Sequence, residues 1–175
     1  RATTDKPRAQ SLVDSKTGSR LRLIQFVGPV KGEWLARLRA SGLEPIAYVP
    51  NNGYLVRGNA QTGAQVLKLA SSDERFIQWE GEFEVRHKIH PALLFSIDTD
   101  PDAEVTVAIQ VARSSLRKAP HQEEDIQSAR LLASSLIGKA YEVSNFANLK
   151  MRIAASRIPQ VAELPNVVNI EPWSE

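Results

Sequence analysis

LRLIQFVGPVKGEWLARLRASGLEPIAYVPNNGYLVR, residues 21–57, is the stretch that decides the fold. Leu21, Leu23 and Gln25 alternate with Arg22, Ile24 and Phe26 and run into Gly28-Pro29, the pattern of a strand followed by a turn. The period then changes. Trp34, Leu35 and Leu38 share a helical face, Glu33 lies in the first turn where the helix dipole favours an anion, and Gly42 is placed to end the helix. Pro45 to Tyr48 and Tyr54 to Val56 are two runs of strand formers around Pro50-Asn51-Asn52-Gly53. The Asn52-Gly53 step predicts a hairpin, because both residues tolerate the positive φ of a tight turn.

Outward from this stretch the pattern closes. Asn59 is a capping residue for a helix with Ala60, Ala64, Leu67 and Ala70 on one face, Ser71-Ser72-Asp73 ends it, and Phe76 to Phe83 reads as a strand. Residues 20–84 therefore predict one β-α-β-β-α-β unit. The second half repeats the order. Glu104 to Val111 alternates as a strand. Gln122-Glu123-Glu124-Asp125 opens a helix with Ile126, Ala129, Ala133 and Leu136 as its buried stripe and Gly138 at its end. Ala140 to Val143 and Leu149 to Ala154 are strands, Ser156 caps a short helix bearing Ile158, Val161 and Leu164, and Val167 to Ile170 is the last strand. Ile77-Gln78-Trp79-Glu80 corresponds to Val168-Asn169-Ile170-Glu171, as expected of a tandem duplication.

The expected fold is thus α+β: two tandem ferredoxin-like modules, each a four-stranded antiparallel sheet with two helices on one face. Residues 1–19 form a polar arm, 20–88 the first module, 89–103 a Pro- and Asp-rich linker, and 104–175 the second module with its C-terminal tail. Two sheet faces then lack intramolecular cover and must meet solvent, each other or a partner, the first hint of a binding function.

Composition narrows the classes. With 175 residues, 42% hydrophobic and 24% charged, the chain is a globular protein of one ordinary domain or two small ones. A net charge of +2 with both signs scattered asks for neither nucleic acid nor an anionic membrane, and the absence of cysteine excludes disulfides and thiolate metal sites. No apolar run approaches the ~20 residues that span a bilayer. Arg1 in place of Met is expected of a chain that has lost a signal peptide or upstream segment, and equally of an arbitrary boundary.

Catalytic and ligand motifs fail one by one. His87 and His90 have cationic neighbours and no third ligand near them in sequence, and so read as polar residues of an extended linker. Asp98, Asp100 and Asp102 have the first spacings of a calcium loop, but Ala103 replaces the turn glycine and Ile109 the bidentate Glu. Gly58 and Gly63 frame a phosphate-loop spacing that continues Ala64-Gln65 where Lys-Ser/Thr is needed. A G-x-S-x-G elbow is missing, and His121 is the one histidine outside the linker pair. The topology is shared with RNA-recognition modules, but beyond Asn52 to Arg57 the aromatic and basic pattern they need is missing, and with small-ligand regulatory domains. No cofactor, no metal and no enzymatic activity is expected.

The wording of particular segments adds a resemblance. Gln25-Phe26-Val27-Gly28-Pro29-Val30, Glu33-Trp34-Leu35, Tyr48 to Val56 (YVPNNGYLV) and Trp79-Glu80-Gly81-Glu82-Phe83 resemble the N-terminal pro-region of secreted subtilisin-like serine proteases, over roughly residues 20 to 95. Leu164 to Trp173 (LPNVVNIEPW) is similar to the closing strand of the same propeptide in a more divergent form. The resemblance implies a secreted protein that acts as intramolecular chaperone and active-site-directed inhibitor of a subtilisin-like serine protease, its one partner, with no nucleic acid and no membrane. It implies that the propeptide sheet lies on two protease helices, that carboxylates beyond the last strand cap their N-termini, and that the C-terminal tail enters the active-site cleft as a substrate-like strand. Glu80 and Glu82 match both acid positions in the first module; in the second, Glu171 matches the first, and Trp173 stands where the second is expected. Pro172, Trp173, Ser174 and Glu175 begin the inhibitory tail, with cleavage either further on or at Glu175. A free-standing protease inhibitor and a small-ligand-binding regulatory module are the alternatives.

Overall fold

The computed structural model describes residues 20–59, 62, 65, 68, 75–113 and 121–174. The expected arm at 1–19, most of the expected second helix, Glu175 and all but the last residue of the loop that composition suggests from Ser114 to His121 lie outside the described residues; His121 itself is helical. In chain order the elements are β1 (Arg20–Phe26), α1 (Gly32–Ala40), β2 (Glu44–Val49), β3 (Gly53–Gly58), β4 (Ile77–Glu82), α2 (Val85–Lys88), α3 (Pro91–Thr99), β5 (Glu104–Ala112), α4 (His121–Leu132), β6 (Ser135–Leu136), β7 (Tyr141–Val143), β8 (Phe146–Ala154), α5 (Ile158–Ala162) and β9 (Val167–Pro172). They build a mixed α+β molecule with two antiparallel sheets.

The first sheet has four strands in the order β2-β3-β1-β4. Ile24 and Phe26 of β1, Val56 of β3 and Ile77 of β4 point to one side and pack with Leu38 of α1, Leu43 and Phe76. Phe26, Trp34 and Phe76 stack at centroid separations of 5.5 to 6.3 Å, and Arg37 sits over the Phe76 ring. Gly42, at φ +85°, ends α1 as its sequence position predicts. Asn59 caps as expected, its Oδ1 accepting the Thr62 N–H at 2.8 Å, and Thr62, Gln65 and Lys68 are helical. The hairpin turns one residue earlier than expected. The positive φ angles belong to Asn51 (66°) and Asn52 (59°), while Gly53 is already in β3, opposite Val49. A Cβ on Gly53 would approach the Val49 Cβ to 3.1 Å, so that glycine serves close packing and not the turn.

The second sheet has five strands, not four. Along its main path the order is β6-β8-β5-β9, and β7 also pairs with β8. The short β6 and β7 share one edge of β8: Leu136 pairs with Met151, and Tyr141 with Asn148. The helix read as reaching Leu136 stops at Leu132, and Leu136 is half-exposed on an edge strand. Ser156 caps no helix; it lies in a 3-10 turn, and its N–H donates to Pro101 O at 2.8 Å. Below the sheet, Val107, Ile109, Val111, Leu149, Met151, Ile153 and Ile170 meet Ile126 and Ala129 of α4 and Ile158 and Val161 of α5.

The segment read as an extended linker is helical and packed. His90 caps α3, its Nδ1 accepting the Ala92 N–H at 3.1 Å with Pro91 in the first turn, while His87 Nδ1 accepts the Glu84 N–H at 3.3 Å. Ile89 and Leu93 are buried in the core of the second sheet, and Ile89-His90 runs alongside β9 at Ile170. Lys88 is buried, its Nζ donating at 2.9 Å to Ala162 O, the last carbonyl of α5, and at 3.2 Å to Leu164 O just beyond it. Burial pushes this ammonium down to about 8 from 10.5, with Asp125 opposing and Arg20 adding to the shift. Asp125, also buried, accepts from both the backbone N–H and the side-chain amide of Asn166 at 2.8 Å.

The two sheets are not independent. Leu21, Ile46 and Leu55, on the helix-free side of the first sheet, form a third buried cluster with Ala112 and Val168 of the second. Arg57 donates to Ala112 O at 3.2 Å, and Asn145 Nδ2 to Ile46 O at 3.0 Å. Of the three fates expected for a helix-free face, solvent, the other sheet or a partner, that of the first sheet meets the other sheet.

Candidate functional site: the open face of the second sheet

The register of the strands relates the two sheets residue by residue. Each first strand slips at a glutamine, between Gln25 and Phe26 in β1 and between Gln110 and Val111 in β5. Gln25 pairs with Gly53 and Trp79, and Gln110 with Asn148 and Asn169. Counting from these bulges places Leu23 with Ala108, Leu55 with Lys150, Arg57 with Arg152, Gly81 with Glu171 and Phe83 with Trp173. The backbone agrees independently. The Phe83 N–H donates to Leu21 O and the Trp173 N–H to Thr106 O, and Leu21 and Thr106 hold the same place.

Equivalent positions thus carry opposite chemistry. The helix-free side of the first sheet is largely apolar, with Leu21, Leu23, Leu55 and Phe83, and it is the side buried against the second sheet. Directly opposed residues share a face, so the helix-free side of the second sheet presents Thr106, Ala108 and Gln110 along its centre. Asn148, Lys150 and Arg152 flank them on β8, and Asn169, Glu171 and Trp173 on the other side. One end of this face, at Ala112, Phe146 and Val168, is covered by the first sheet. The remainder is open, a shallow strip with an alanine at its middle, and Tyr141 and Val143 rise half-exposed at its β7 edge. Lys150 lies over the ring of Trp173 at 3.4 Å from the centroid and 5.9 Å from that of Tyr141.

The three glutamates singled out in the sequence do not share one environment. Glu80 pairs with Ile24 and Glu82 with Arg22, which puts both on the helix-bearing side of the first sheet. Glu80 is further engaged by Arg22, whose Nε donates to its Oε2 at 2.9 Å, with little of either side chain exposed. Glu82 is exposed. Glu171 is also exposed, but it pairs with Ala108 and stands on the open face of the second sheet. The sequence correspondence of Glu80 with Glu171 is one residue out of step with the register, and in a strand one residue exchanges the faces. The equivalent of Glu171 is Gly81, over which Trp79 folds: a Cβ there would come within 2.6 Å of the indole. Of the tail, Pro172 closes β9, Trp173 is half-buried and Ser174 is exposed. Sequence reasoning gave Lys150 and Ala108 no role, because only strand pairing brings them beside the tail.

Among the described residues no three His, Cys, Asp or Glu side chains converge as a metal site would require, and no helix is long and apolar enough to cross a membrane. Residues 2–84 match the family described as Domain of unknown function (DUF8729), a match that ends two residues beyond β4. No curated protein and no solved structure matches the chain.

Proposed function

We propose that the chain is the propeptide of a secreted subtilisin-like serine protease, its intramolecular chaperone and active-site-directed inhibitor, built from two tandem ferredoxin-like modules. The strand order in which the first strand lies between the last two, repeated in both sheets, supports the modular reading. The observation that carries the function is the open face of the second sheet. Small residues at its centre let a partner's helices approach closely, Glu171 stands on it as an exposed anion suited to a helix N-terminus, and the chain leaves the same sheet from its edge strand. In this reading the second module docks on the protease, and the first, whose equivalent face is buried, braces it.

The test is inhibition in trans. The purified chain should slow a subtilisin-like protease competitively with a peptide substrate, and Glu171→Arg should abolish the effect while the unfolding free energy stays within about 0.5 kcal/mol of wild type, the usual range for an exposed site. Equal inhibition by Glu171→Arg would remove the second sheet's face from the mechanism. Absence of inhibition at micromolar concentration across such proteases would favour a ligand-binding module, recognised by a melting-temperature shift with a metabolite.

A further inference from the structure

We propose that Lys150 is a positioning residue for the chain that leaves the second sheet, and that it acts through Trp173. β9 ends at Pro172, whose nitrogen has no hydrogen to give. The departing backbone is held by the Trp173 N–H, which donates to Thr106 O at 2.9 Å. One hydrogen bond at a strand end opens readily. The second hold is the indole itself. Lys150 belongs to β8, Ala108 of β5 lies opposite it, and Thr106 lies one row along, beside Trp173. The indole therefore meets the ammonium diagonally across β5, and it can do so because Ala108 and Thr106 are short. At 3.4 Å from the ring centroid, with Tyr141 on the far side, the ammonium lies between two aromatic rings on a half-buried site, where a cation–π contact is stronger than in open water. Clamped in this way, Trp173 fixes the direction in which Ser174 departs from β9. The first module has no such device, since Leu55 stands where Lys150 does.

The consequence for inhibition rests on the propeptide reading; the clamp itself does not, so the two are tested separately. In the full chain, NMR should find the Lys150 side-chain protons shifted upfield by the indole. Hydrogen exchange at the Trp173 amide should be about fivefold faster in Lys150→Met, restored by Lys150→Arg, and unchanged by Lys139→Met, as expected from the loss of one cation–π contact. An unshifted Lys150, or unchanged Trp173 exchange in Lys150→Met, overturns the proposal. Against a protease that the wild-type chain inhibits, Lys150→Met should inhibit about fivefold more weakly, and equal inhibition would overturn the positioning role. A working clamp in a chain that inhibits no such protease would leave the clamp standing and remove the propeptide reading.

Discussion

Lys88 carries an ammonium into a largely buried place beside the carbonyls at the end of α5, where the charge of Asp125 also acts on it. Its folded value of about 8 lies below the 10.5 of the unfolded chain, so the unfolded state holds more protons between those values. Stability therefore rises with pH across that window, by roughly 3 kcal/mol in all. Urea midpoints of the wild type should climb from pH 7.5 to 9.5, and those of Lys88→Met should stay flat relative to them. Parallel curves would mean that the ammonium is solvated. Asp125 is the complementary case. Its Oδ2 satisfies two donors of Asn166 at once, and Asp125→Ala would strand both in the interior, at a cost of roughly 3 kcal/mol. Asp125→Asn keeps one acceptor and should lose about half of that, measured by denaturant unfolding.

At the scale of elements, the 50–53 turn shows where local chemistry is decisive. Asn51 and Asn52 both hold positive φ, which an L side chain without a short polar group adopts at a cost of roughly 1–2 kcal/mol. Asn52→Val should lower stability by that amount, and Asn52→Gly should not lower it, as read from thermal midpoints. Strands, α1 and the Asn59 cap were legible in the sequence because each announces itself within a few residues, through alternation, a helical stripe or a capping oxygen. What was not legible depended on partners far along the chain. Leu136 continues the stripe of α4 by spacing, yet Met151 draws it into a strand. The 89–103 segment looks like a linker by composition, yet Ile89 and Leu93 are core residues once β9 is beside them. Glu80 and Glu171 align as text, and only the bulges at Gln25 and Gln110 reveal that they face opposite ways. The tail residues of the candidate site could be read from the end of the chain; the face they depart from could not.

At the scale of the molecule, two sheets of like strand order differ in polarity on the same face, and that difference determines which of them is free. Leu21 and Leu55 commit the first sheet to the cluster with Ala112 and Val168, while Thr106 and Lys150 at the equivalent places leave the second face wetted. Exchanging the chemistry tests this. Leu55→Lys would bring an ammonium into a desolvated contact with no partner for it, and should cost about 3 kcal/mol or more. Ala108→Leu, which gives the second sheet the residue the first has at Leu23, lies under no other sheet and should cost only about 1 kcal/mol, the scale of the Lys150–Trp173 contact it would displace. The paired outcome is what matters. Because Arg57 and Asn145 also bond across the junction, the wild-type chain should unfold in one transition by both fluorescence and circular dichroism. Leu55→Lys should separate the two probes, as the first sheet loses its apolar seat and melts ahead of the second. Coincident transitions in that variant, at an unchanged midpoint, would show that the sheets stand without each other, and the open face would then have no rigid brace behind it.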